Sequence, residues 1–176
     1  LLAMVMLPAV VMAQSENATL TLTGTVPSIV KIGFDNTGTT TDTLDLGDLT
    51  DNSDDGTPPS LVYAANVPFD LEVTSANAAA ASTAGVNAVL SNTATVSGFR
   101  NIVTYQLDVA GQTDVNLSGG TVSLLTGQAA GAGSYSISVT PELIDLSGFN
   151  EGSTLSTVNA QGTYEDTLTF TITAAP

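Results

Sequence analysis

The chain has 176 residues, no cysteine, no histidine, two basic residues against 17 acidic ones, and a formal net charge of -15. These numbers exclude a thiol catalyst, a zinc–thiolate site and a disulfide framework, and they remove the commonest general base. They also leave almost nothing to neutralise phosphate, so neither nucleic acid nor membrane insertion of the mature chain is expected.

Residues 1–13 form an apolar run with Pro8 inside it and small residues near its end. The run is too short to span a bilayer, and Val11-Met12-Ala13 suits a leader cleavage site with Gln14 as the mature start. The alternative, a buried N-terminal helix, would need burial on every side. The expected organisation is a partial signal peptide over 1–13, an extension over 14–26 and a single domain over 27–176. Export follows from the leader.

Residues 18–26 alternate strictly. Ala18, Leu20, Leu22 and Val26 fall in one row with Gly24, and four threonines fill the other. That is the pattern of a half-buried strand, which either pairs inside its own domain or completes a neighbour's. Further strands are expected over Ser28–Phe34 and Val67–Ala76, then Val86–Leu90, Ile102–Val109 and Thr121–Leu125. Two more lie around Tyr135, Ile137 and Val139 and over Thr167–Thr173, preceded by Tyr164. Between Phe34 and Val67, after the turn-rich Asp35–Thr41, comes Thr43–Leu49 with Leu44, Leu46 and Leu49 as its apolar residues. Ala78–Ala84 reads as a brief helix or a crossover loop, Gly127–Gly133 as a flexible loop, and Asp145–Gln161 as turn-rich. Many short strands separated by turn signals predict an all-β antiparallel sandwich or barrel.

The motifs with chemical potential are weak. Asp51, Asp54 and Asp55 with Gly56 offer oxygen ligands, but Val62 stands where a calcium loop needs its bidentate Glu, so a solvated loop is expected. Ser28-Ile29-Val30-Lys31 fits the S-x-x-K string of penicillin-recognising enzymes, yet the segment is β-like and its partner motifs are absent. A glycosidase cleft wants aromatic walls, and the chain has no Trp and only nine other aromatics, 4 Tyr and 5 Phe. No enzyme and no cofactor is expected.

Four stretches occur in the order seen in fimbrial subunits: Leu20-x-Leu22-x-Gly24-x-Val26, Leu44-Asp45-Leu46-Gly47, Val67-Pro68-Phe69-Asp70-Leu71 and Gly162-Thr163-Tyr164-x-Asp166-Thr167-Leu168-Thr169-Phe170-Thr171-Ile172. In these stretches the chain resembles chaperone–usher pilins, including type 1-like major subunits, archaic pilins and spore-coat-U-like proteins; residues 78–160 match only loosely. The resemblance implies an incomplete immunoglobulin-like sandwich whose groove is filled by a periplasmic chaperone and then by the extension of the next subunit. It implies that Ala18, Leu20, Leu22, Gly24 and Val26 form the donor strand and that Leu168, Phe170 and Ile172 floor the acceptor groove. Three buried aliphatic plugs would contribute about 5–8 kcal/mol before ordering costs. Many of these pilins carry a disulfide; the approximate counterpart positions here, near Lys31 and Ala76, hold none.

The function expected from this reading is a structural subunit of an extracellular, cell-surface fimbrium. Its partners would be identical or related subunits, with a chaperone and an outer-membrane usher during assembly. The alternative is a self-contained secreted sandwich that binds a carbohydrate or a cell-surface ligand. A coat or matrix protein of the same fold is a third reading.

Overall fold

A computed structural model of the chain describes residues 21–34, 39–50, 56–144 and 158–176. The leader, Ala18, Leu20 and the acidic loop at Asp51–Asp55 lie outside the described residues.

The described residues form antiparallel sheets and one short helix. In chain order these are β1 (Val30–Phe34), β2 (Ser60–Ala65), β3 (Phe69–Ser75), α1 (Ala78–Ala84) and β4 (Val89–Asn92). Then follow β5 (Ile102–Val109), β6 (Val122–Gln128), β7 (Gly131–Pro141), β8 (Tyr164–Glu165) and β9 (Leu168–Ala174). One sheet runs β1-β2-β7-β5-β4-β8, the other β6-β3-β9. Both turn alternate side chains into one shared core, as a sandwich requires. Phe69, Leu71 and Val73 of β3 are buried there, facing Leu61 of β2 and Val103, Tyr105, Leu107 and Val109 of β5. The polar partners in each row, such as Asp70 and Glu72, stay outside the core.

β5 and β9 lie where alternation places them, because each has one apolar row and one polar row. β2 was not legible in the same way. Leu61-Val62-Tyr63-Ala64-Ala65 is apolar in both rows, so its sequence carries no period, although it sits between β1 and β7.

Three expectations are corrected. β4 starts at Val89 rather than Val86, because Val86 closes α1. Gly85 takes the left-handed conformation (φ 72°), and the Val86 N–H donates to the Ala81 carbonyl at 3.1 Å. The glycines of Gly127–Gly133 do not make a long loop. β6 runs through Gln128 and β7 begins at Gly131, so only two residues carry the chain from one sheet to the other. Gly133 belongs to the β2–β7 ladder opposite Tyr63, whose ring lies over it.

The third correction concerns the strand expected over 18–26. Its described part joins neither sheet, and no secondary structure forms between residues 21 and 29. Alternation creates a strand only when an edge supplies the other half of the hydrogen bonds. Within this domain, residues 21–26 have none. The pairing inside their own sandwich that the sequence left open is not the arrangement they adopt.

Candidate functional site

β9 borders β3 on one side only, and among the described residues no strand pairs with its outer edge. The parity of that edge follows from two bonds. The Ala76 N–H donates to the Thr167 carbonyl at 3.0 Å, and the Ala175 N–H to the Pro68 carbonyl at 2.8 Å. Alternating antiparallel pairing then turns the backbone groups of Thr169, Thr171 and Thr173 towards β3. Those of Leu168, Phe170 and Ile172 point outward. Their side chains face the core and are half-buried. One set of three residues thus presents both a free backbone edge and an apolar row.

An open cleft of about 1120 Å³ adjoins this row. Leu168 and Phe170 line one wall, Phe34 and the irregular segment 42–50 another, and Leu90, Tyr105 and Ile137 reach its floor. Ile172 shares the face of Leu168 and Phe170 but is not part of the cleft wall. Phe34 meets Phe170 edge to face, with ring centroids 6.1 Å apart, and so closes the gap between the sheets at that end.

Segment 42–50 contributes Leu44 and Leu46, both half-buried. Local turns hold it. The Gly47 N–H donates to Asp45 Oδ1 at 2.9 Å, and the Thr50 N–H and hydroxyl donate to Asp48 Oδ1 at 2.9 and 2.8 Å. The Thr50 N–H and then its hydroxyl hold the exposed Asp48 carboxyl below its ordinary value. Because these carboxylates serve the backbone locally, the segment forms no ladder. Longer-range anchors are the Gly56 N–H on the Asp45 carbonyl and the Ile144 N–H on the Leu49 carbonyl, both 2.8 Å. Sequence reasoning did not place this segment at the site, though the Leu-x-Leu spacing was the available signal.

At one corner Asp166 gathers donors from β5, from β3, from the turn between β3 and α1 and from its own neighbour Thr167. Its Oδ2 accepts from the Tyr105 hydroxyl at 2.6 Å and the Ser75 hydroxyl at 2.7 Å. Its Oδ1 accepts from the N–H groups of Thr167 at 2.8 Å and Asn77 at 3.2 Å. Burial first, and then the Asp166 carboxylate, push the Tyr105 hydroxyl well above its ordinary value. Tyr164 is a packing tyrosine, its hydroxyl donating to the Ala160 carbonyl at 2.7 Å. Asp42, Asp45, Asp48 and Glu165 leave the rim anionic. The site therefore suits an extended, uncharged segment with apolar side chains on alternate residues, and disfavours an acidic one.

The described donor residues, Leu22, Gly24 and Val26, lie elsewhere. Leu22 is 85 % and Val26 82 % exposed, and a Cβ at Gly24 would meet nothing within 4 Å. The structure does not bring them to the cleft of their own chain. Ser28 to Lys31 runs into β1 instead of opening a helix, which removes the geometry an S-x-x-K nucleophile needs. Among the described residues no three acidic side chains converge on a possible metal position, and no helix is long and apolar enough to cross a membrane. Comparison with models of protein families and with curated proteins finds no match for this chain.

Proposed function

We propose that the chain is a structural subunit of an extracellular fimbria or pilus-like filament, assembled by non-covalent strand exchange. Each subunit accepts the segment 18–26 of a neighbour along β9 and offers its own segment onward. The observation that carries this is the pairing of opposites within one chain. β9 has free backbone groups above a cleft that Leu168 and Phe170 line, while an uncharged segment whose described residues include the exposed Leu22 and Val26 stands unpaired ahead of β1. Each lacks what the other supplies.

Two further observations support an immunoglobulin-like, pilin-type sandwich. In that fold strands A, B, E and D form one sheet and C, F and G the other. Here β1-β2-β7-β5 follows the order A-B-E-D, and β3-β9 follows C-F. The position of G, beside β9, is where the donor would lie. Tyr164, just ahead of the last strand, bonds to a carbonyl four residues upstream, as the tyrosine corner of such domains does. The chaperone and usher enter the proposal through the resemblance in sequence alone.

Deleting Gln14–Val26 tests the reading. The truncated chain is expected to stay folded, less stable and unable to polymerise. A peptide of sequence Ala18–Val26 added at about a hundred times its dissociation constant should restore about 2.7 kcal/mol. A truncated chain that still forms filaments, or a full chain that stays monomeric and gains no stability from the segment, defeats it.

A further inference from the structure

Between Val26 and Val30 the chain passes from a free segment into β1, and one residue of another element controls that passage. The β1–β2 register pairs Val30 with Ala65, so the next rung of the ladder pairs Ile29 with Asn66. Half of that rung is ordinary: the Asn66 N–H donates to the Ile29 carbonyl at 3.0 Å. The other half is not. The Ile29 N–H donates at 2.6 Å to Oδ1 of the Asn66 side chain, and Nδ2 of the same side chain donates at 2.9 Å to the Pro27 carbonyl. An amide side chain offers an acceptor and donors in one plane, and here it grips both a backbone N–H and a backbone C=O two residues apart.

The covalent chain adds stiffness at the same point. Pro27 fixes its own φ and keeps Val26 extended, so few soft torsions remain between the grip and the free segment. The grip also sits at a defined place. Two residues beyond Asn66, the Pro68 carbonyl accepts the Ala175 N–H at 2.8 Å, so the root of the segment lies beside the C-terminal end of β9.

We propose that Asn66 is the positioning residue for the segment ahead of β1, fixing the direction in which residues 21–26 project. Resting on the strand-exchange reading, this would set the angle between consecutive domains and the stiffness of the filament. Contacts within the segment cannot do this, because Leu22, Gly24 and Val26 touch little of their own domain.

The absence of cysteine makes the test clean. Spin labels at Thr25→Cys and Ser138→Cys, in the monomeric fraction of the full chain, report the distance from segment to sandwich. Asn66→Ala should at least double the width of that distance distribution. Asn66→Asp, which keeps an acceptor for Ile29 but loses the donor for Pro27, should fall between. An unchanged width overturns the proposal. Hydrogen exchange of the unsubstituted chain checks it without any variant: the Ile29 amide should exchange at least about tenfold more slowly than that of Thr25, and equal rates overturn it. Filaments of Asn66→Ala should have a shorter persistence length by electron microscopy; equal stiffness overturns the inter-domain role. A broadened monomer distribution without filaments from any variant would defeat strand exchange while leaving the grip of Asn66 in place.

Discussion

Asp166, between β8 and β9, is tied to β3 and β5 through a single carboxylate, and its removal would leave the Tyr105 hydroxyl without its acceptor. The Tyr105 hydroxyl ends on it and Tyr105 is buried in the core, whereas the Asn77 N–H keeps a second acceptor in the Ser75 hydroxyl at 2.9 Å. Asp166→Ala is expected to destabilise the domain by about 2–4 kcal/mol in urea unfolding, because a buried donor without an acceptor bears its full desolvation cost. Tyr105→Phe removes donor and demand together and should cost less. The same pair predicts a pH dependence. Folding raises the Tyr105 hydroxyl above its ordinary value, and Tyr135 is pushed up to about 12 by burial and then by the Tyr63 hydroxyl. A group whose folded value is raised keeps its full contribution below the unfolded value and loses it as pH rises above that value. Thermal stability should therefore fall above about pH 10, and the fall should be shallower in Tyr105→Phe. An equally steep fall in that variant would remove Tyr105 as its cause.

β9 has two backbone faces that differ in consequence, and proline can tell them apart. Proline lacks an N–H and is tolerated in a strand only where that N–H faces away from the ladder. Ile172→Pro deletes an outward N–H and part of an apolar contact, so it should cost the isolated domain about 1–2 kcal/mol. It should also weaken binding of the Ala18–Val26 peptide to the truncated chain by about tenfold or more. Thr171→Pro breaks the bond to β3 and should cost about 3 kcal/mol or more. Equal effects of the two on stability would show that the parity of the edge is misassigned. β9 was legible in the sequence because Leu168, Phe170 and Ile172 alternate with threonines. Alternation gives a face but no partner, so it could not say that the outer side of this strand is unpaired while that of β3 is not. β2 was illegible for the converse reason: both its rows are apolar, and only its neighbours decide which one faces the core. Asn66 gave no signal at all, since its grip on Pro27 and Ile29 spans nearly forty residues of sequence.

Across the whole molecule charge is lopsided. Lys31 and Arg100 are the only bases in a chain of net charge -15, and among the described residues the approach of Arg100 to the Glu142 carboxylate is a loose 4.0 Å. Such a surface adds little to stability and much to repulsion between neighbours. Filaments of this subunit should stay apart at neutral pH and low salt. They should bundle as pH falls towards the isoelectric point of about 4.1 or as salt rises. Light scattering that stays flat across both ranges would count against the prediction.

The sequence by itself determined the chemistry of the molecule: no thiol, no imidazole, almost no cation, and strands whose one face is apolar. Composition and period suffice for that, because they fix what a residue can bond to and which side of a strand it occupies. Only the tertiary structure decided that residues 21–26, ahead of β1, pair with nothing among the described residues of their own domain, while β9 is left there with an open edge over a cleft. Both depend on which strands become neighbours. That choice is made by packing one sheet on the other, over separations that no local pattern spans.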